Sequence, residues 1–156
     1  MTQAADLLAL ARELGVMIAT AESCTAGMIS AAITDPPGAS AIFDRGFVTY
    51  TNRAKIDLLG VRAETLEAFG AVSEEVAREM ASGAYDRSDA DFAVSVTGIA
   101  GPGHEGPKPE GRVCFGLAGP GGVRTETVDF GALGRAHVRQ ATVDHALGLL
   151  ISAITQ

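Results

Sequence analysis

Basic residues are scarce in this chain: 12 Lys and Arg stand against 19 Asp and Glu, for a formal net charge of −7. Nucleic-acid binding rests on Lys and Arg neutralising phosphates, so this balance argues against it, although a local basic pocket for one small anion is still allowed. Cysteine is scarcer still. Cys24 and Cys114 lack the close paired spacing of a zinc or redox motif, and two thiols make no disulfide framework in a domain of this size. A reducing cytoplasm is the expected compartment. No apolar run approaches the ~20 residues that span a bilayer, so no membrane partner is expected. The N-terminus has no basic region ahead of an apolar stretch, because Leu7, Leu8, Leu10, Ala11 and Leu14 are interleaved with Asp6, Arg12 and Glu13 as in an amphipathic helix. Charge runs, low-complexity tracts and internal repeats are all missing, which excludes a disordered or solenoid chain.

What is present suits one domain, residues 1–156: the composition is 47% hydrophobic and 20% charged, enough to build a real core. Residues 2–14 form a first helix, capped near Thr2 and stopped by Gly15. Residues 16–19 read as a buried strand, and Met28, Ile29, Ala32 and Ile33 recur at helical spacing until Asp35-Pro36-Pro37-Gly38. Residues 43–50 read as a second strand that leaves through the polar run Tyr50-Thr51-Asn52-Arg53-Ala54-Lys55. A short helix over 62–69, a longer one opening at Ser73-Glu74-Glu75-Val76, and a central strand over 91–96 follow. Alternating runs at 112–118 and 123–130 around Gly119-Pro120-Gly121-Gly122 predict a hairpin, and residues 133–155 a long last helix. Helices and strands alternate early and a hairpin comes late. The expected architecture is therefore a three-layer α/β/α sandwich with a mixed β-sheet.

The chemistry gathers at Thr20-Ala21-Glu22-Ser23-Cys24-Thr25-Ala26-Gly27, a strand-to-helix turn where unpaired N–H groups and a positive dipole end favour an anion or a nucleophile. Ser23 is the first candidate nucleophile, with the helix N-terminus supplying oxyanion donors. A plainer reading makes Ser23 or Thr25 the cap of the helix. Cys24 is a rival nucleophile, since a helix N-terminus also depresses a thiol pKa, against the alternative of a buried small hydrophobe. No Gly-x-Ser-x-Gly surrounds Ser23, so an α/β-hydrolase elbow is not indicated. His104, His137 and His145 are a thin supply for a triad, which leaves Lys55 as the base. A lysine does this only if burial or a nearby cation lowers its pKa, and Arg53 is the neighbour expected to help. Gly98-Ile99-Ala100-Gly101-Pro102-Gly103 follows a strand and lets backbone approach a ligand, with Thr97 at its entrance as a hydroxyl donor. It is neither a dinucleotide fingerprint nor a P-loop. Arg112, Arg135 and Arg139 are possible anion partners, or surface ion pairs.

Taken together, Glu22-Ser23-Cys24-Thr25-Ala26-Gly27, Tyr50-Thr51-Asn52-x-x-Lys55, Val72-Ser73, Thr97-Gly98-Ile99-Ala100-Gly101-Pro102-Gly103, Lys108-Pro109-x-Gly111-x-Val113 and Arg135-x-x-x-Arg139 resemble the CinA C-terminal domain, the PncC-type nicotinamide-nucleotide amidases. The resemblance runs over nearly the whole chain. It implies a stand-alone amidase, without the molybdopterin-binding-like half of longer relatives, that converts nicotinamide mononucleotide to nicotinate mononucleotide and ammonia in pyridine-nucleotide salvage. It implies Ser23 as nucleophile and Lys55 as base, with Tyr50 and Thr97 nearby. Thr25, Gly27, Asn52, Gly98, Gly101, Gly103, Arg112 and Arg139 are the expected substrate contacts. No metal or other cofactor is called for, the partner is a small-molecule nucleotide, and relatives suggest a homodimer or larger homo-oligomer. One departure stands out: His104-Glu105-Gly106-Pro107 replaces a slightly longer Gly- and Thr-rich segment. Two other readings are a nucleotide-binding module without catalysis and a Cys24-dependent hydrolase.

Overall fold

A computed structural model describes residues 2–156. Helix α1 (Gln3–Leu14) is capped by Thr2, whose hydroxyl accepts from Ala5 N, and ends at Gly15 in the left-handed region. Strand β1 (Ile18–Glu22) leads through a turn to α2 (Met28–Thr34), and a short 3₁₀ turn at Ala39–Ala41 precedes β2 (Phe43–Val48). Three helices follow, α3 (Asn52–Leu59), α4 (Ala63–Phe69) and α5 (Glu74–Asp86), then β3 (Phe92–Gly98), the hairpin β4 (Arg112–Gly119) and β5 (Gly122–Asp129), and α6 (Arg135–Ile154).

The five strands form one mixed sheet in the order β2-β1-β3-β4-β5. Strands β2, β1 and β3 run parallel, and β3, β4 and β5 are antiparallel to one another in turn. The carboxyl ends of the three parallel strands therefore sit side by side. In open α/β sheets that edge is where ligands bind.

Alternation along the central strands assigns each face its cover. Ile18, Val94, Val96, Phe115 and Leu117 join Leu7, Ile29, Ile33, Val138, Leu147 and Leu150 in a core under α1, α2 and α6. Ala19, Ala21, Ala93 and Ala118 face α3, α4 and α5 with Leu59, Leu66, Val76 and Met80. The second face is floored with small residues, and α5 comes down close. Ser95 Oγ donates to the carbonyl of Ala77 in α5 at 2.6 Å, and a Cβ on Gly116 would lie 2.5 Å from that same oxygen. The expected three-layer sandwich is what forms, and Val76, Met80 and Ala84 do mark the inner face of α5.

One expectation needs correction, and one helix had not been assigned. The first strand is displaced toward the turn, at Ile18–Glu22 instead of 16–19, because pairing with both β2 and β3 continues through the polar Thr20 and Glu22. The polar run that leaves β2 opens a helix to which the sequence reading assigned no element: Thr51 accepts from Ala54 N and caps α3, which carries Asn52 and Lys55 in its first turn.

Candidate active site

The turn after β1 is built around Glu22, which is completely buried. One carboxylate oxygen accepts from Thr25 Oγ1 (2.6 Å), Gly27 N (3.2 Å) and Ile29 N (2.8 Å), and the other from Ser30 N (2.9 Å) and Ser30 Oγ (2.7 Å). The amides that open α2 are thus spent on a side chain of the protein. They are not the oxyanion donors the sequence led one to expect. Nor does Ser23 or Thr25 cap the helix; its first flanking residue is Gly27, with no side-chain cap. The turn also holds Ala26 at φ 46, a left-handed conformation that costs a non-glycine residue roughly 1–2 kcal/mol and persists only where its surroundings over-determine it. Glu22 does so from below. From behind, the Arg139 guanidinium donates to the carbonyls of Cys24 (3.0 Å) and Thr25 (3.3 Å).

Replacing Glu22 with Ala would leave three amides and two hydroxyls without their acceptor. Each buried unsatisfied donor costs about 1–3 kcal/mol, partly recovered by water entering the vacated space. A net loss of at least about 3 kcal/mol is expected, read as a fall in Tm of roughly 6–12 °C by thermal unfolding. Glu22→Gln, which keeps one acceptor oxygen, should lose less.

Ser23 leaves this turn on the cleft side. Its Oγ lies 3.0 Å from Lys55 Nζ and 3.5 Å from the carbonyl oxygen of Tyr50. Lys55 is only 1% exposed, yet Nζ has three oxygen neighbours: Ser23 Oγ and the carbonyls of Thr49 (3.0 Å) and Tyr50 (3.1 Å), to which it donates. Burial pushes the Lys55 pKa down; negative charge on Cys24 and Glu105 would pull it up. Arg53 is not the cause, since it points outward and pairs with Asp57. The geometry suits an uncharged amine. Two N–H groups satisfy the two carbonyls, and the lone pair is left facing the Ser23 hydroxyl.

Burial disfavours a thiolate at Cys24, although this residue does line the cavity beside Ser23. It packs in the core, and burial pushes its thiol up to about 11, which disfavours the thiolate at neutral pH. The Glu22 carboxylate adds to that rise, and the Arg139 guanidinium opposes it.

Ser23 and Lys55 open into a cavity of about 480 Å³, within the range of small-molecule sites. Asn52, Thr97, Gly98, Gly101, Gly103 and Arg135 are among its lining residues. The other expected residues divide. Thr97 Oγ1 spends its proton on the carbonyl of Ala71 (2.8 Å) and has only acceptor capacity to offer. Tyr50 brings its carbonyl to Lys55, while its phenol oxygen accepts from Arg135 (3.0 Å). Thr25 and Gly27 belong to the Glu22 network, and Arg139 stands behind the turn. Arg112 is the clear miss: it pairs with Asp129 (2.8 Å) beside Cys114, Thr127 and Lys108, in a separate groove. Sequence reasoning missed the anchoring role of Glu22, whose position three residues before Thr25 was the available signal, and the presence of His104 and Glu105 in the cleft wall. Among the described residues no group of three or more His, Cys, Asp or Glu is placed to hold a metal ion, and no helix is long and apolar enough to cross a membrane.

These features define a three-layer α/β protein with a serine–lysine pair at the carboxyl ends of its parallel strands. The chain belongs to the CinA family: residues 1–154 match the model of the CinA C-terminal domain. It is 59% identical over 109 residues to a protein of Enterobacter agglomerans named nicotinamide-nucleotide amidohydrolase PncC, a match covering 69% of this chain and 66% of that one. A CinA-like protein of Chlorobium limicola is 58% identical over 108 residues, covering 69% of this chain and 25% of its own length. A putative competence-damage inducible protein of Symbiobacterium thermophilum is 50% identical over 151 residues, 90% of this chain and 35% of its own. The chain thus spans about a quarter to a third of the length of such longer relatives. Among solved structures, the competence/damage inducible protein CihA of Agrobacterium tumefaciens superposes with a TM-score of 0.95 at 50% identity, over 99% of this chain and 94% of that one.

Proposed function

We propose that this chain is an amidohydrolase that converts nicotinamide mononucleotide and water to nicotinate mononucleotide and ammonia, using Ser23 as nucleophile and Lys55 as base. The observation that carries this reading is the buried Lys55 amine 3.0 Å from Ser23 Oγ, with both of its other contacts being carbonyl acceptors. The amidohydrolase name of the Enterobacter agglomerans relative supports the substrate.

In the proposed reaction Lys55 Nζ takes the Ser23 proton as Oγ bonds to the carboxamide carbon, and the carbonyl π pair moves to oxygen. The amides of Cys24 and Thr25 make no hydrogen bond among the described residues and stand next to the nucleophile, which suits them to the developing oxyanion. Arg139 on the Cys24 carbonyl polarises the Thr25 amide of the same peptide unit. Collapse breaks the C–N bond, and the proton held by Lys55 leaves with the nitrogen as ammonia. Water, deprotonated in turn by Lys55, then splits the seryl ester to the carboxylate and restores Ser23. The Gly98–Gly103 loop, Asn52 and Arg135 are left to hold the ribosyl phosphate.

The test is ammonia release from nicotinamide mononucleotide by the unmutated chain, with Cys24→Ala beside it. Turnover that survives in Cys24→Ala within a few-fold is expected. A folded chain that binds the nucleotide but releases no ammonia would make it a binding module.

A further inference from the structure

We propose that Glu105 is a specificity-determining residue of this cleft: its carboxylate is the counter-charge for the positively charged ring of the substrate, selecting an N-ribosylated pyridinium over its uncharged, reduced form. This rests on the nicotinamide mononucleotide reading above and adds to it the group that reads ring charge.

Three charged side chains, Lys55, Arg135 and Glu105, are among the residues lining the cavity. Two of them are already engaged. Lys55 is held by Ser23 and the two carbonyls, and Arg135 donates to the carbonyl of Gly101 (2.7 Å) and to the Tyr50 hydroxyl (3.0 Å). Glu105 is the acidic member of the set, and its carboxylate makes no hydrogen bond or ion pair among the described residues.

Its position is nevertheless well defined. Glu105 and Lys108 exchange backbone hydrogen bonds of 3.0 and 2.9 Å across a tight turn, and the Lys108 ammonium ties that turn to the carbonyls of Phe69 (2.6 Å), the last residue of α4, and Val72 (2.7 Å) just beyond it. The ring of His104 is fixed on the carbonyl of Gly106 at 2.8 Å. An unpaired carboxylate is thus held on a braced, solvent-exposed turn that lines the same cavity as Ser23 and Lys55. Its charge would oppose the downward push of burial on the Lys55 pKa, as negative charge on Cys24 would.

The chemistry of the substrate completes the match. The ring nitrogen lies two ring bonds from the carbon bearing the carboxamide. Once the carboxamide is on Ser23, the positive charge is close to the reacting centre whichever way the ribose leaves. Glu105 is the acidic side chain among the residues lining the cavity, and its carboxylate attracts that cation. The neutral dihydropyridine ring does not feel this attraction.

Glu105→Gln preserves shape and removes charge, and the exposed turn tolerates it without unfolding. The experiment compares dissociation constants of nicotinamide mononucleotide and of its reduced form by titration calorimetry, with and without Glu105→Gln, in a Ser23→Ala background where the bound amide persists. At about 0.1 M salt, affinity for the cationic nucleotide should fall roughly 10-fold while that for the reduced form moves less than 2-fold. Both nucleotides share ribose, phosphate and amide, so any change in Lys55 or in loop shape weakens both together and leaves their ratio unmoved. An unmoved ratio, whether both fall or neither does, overturns the inference. Failure of the amidase reading is seen separately, as no ammonia from the unmutated chain.

Discussion

Ser23→Ala should lower kcat for ammonia release by on the order of 10⁴ or more, while nicotinamide mononucleotide binds within a few-fold of its normal affinity. Removing the nucleophile of a serine hydrolase leaves only what binding and the oxyanion donors supply, and knock-outs of this kind cost up to about 10⁶ in kcat. Binding is expected to survive because the cavity is lined mainly by α3, the end of β3 and the Gly98–Gly103 loop, none of which Ser23 holds in place. Folding should survive as well. Ser23 N donates to the Val96 carbonyl through backbone alone, and the turn is anchored by Glu22 and Arg139. Paired measurement of kcat by ammonia release and of Kd by calorimetry separates the outcomes. A variant keeping more than a tenth of normal turnover would place the nucleophile elsewhere, and a joint loss of binding and fold would make Ser23 structural.

The fold was legible wherever one residue type carried one job. Thr2 and Gly15 bracket α1, Ser73 caps α5, and the turn at Gly119 to Gly122 joins β4 to β5, each through local backbone chemistry that needs no tertiary context. The site was legible in its members more than in its wiring. Ser23 and Lys55 stand 32 positions apart in sequence, and only the parallel pairing of β1 with β2 brings Glu22 beside Val48 and so Ser23 beside the strand exit that leads to Lys55. Reasoning from the α2 N-terminus failed for a specific cause. A buried carboxylate from the preceding strand outcompetes any ligand for those amides, and the Glu22-x-x-Thr25 spacing, the one local hint of it, fits a surface charge before a turn equally well. Arg53 misled in the same way: its closeness to Lys55 in sequence becomes opposite directions on α3, and burial supplies the perturbation instead. Arg112 lies on the strand that borders the Gly98 loop, but its side chain is taken by Asp129 across the hairpin.

Lys55→Met should cost about 10²–10⁴ in kcat, the range for removing a general base, and the pH dependence should reveal which proton is at stake. On the proposed mechanism the active form carries an uncharged Lys55. The acid limb of kcat/KM should therefore rise with pH to a midpoint below 10.5, the ordinary lysine value, because burial disfavours the ammonium. The same shift bears on stability. At a pH below the folded-state pKa the ammonium is present in both folded and unfolded chains, and its burial is a constant cost to the fold. Between that pKa and 10.5 the unfolded chain holds the proton and the folded chain does not, so stability rises with pH across the window. Lys55→Met has no such proton, and its unfolding free energy, measured in urea from neutral pH to pH 10, should lack that part of the slope. The orphaned carbonyls of Thr49 and Tyr50 destabilise the variant and the missing buried charge stabilises it; neither depends on pH once the lysine is gone. The difference in slope, more than any difference at one pH, is therefore the signature of Lys55. Retention of full turnover in Lys55→Met, or an acid limb centred at or above 10.5, would mean that some other group takes the Ser23 proton.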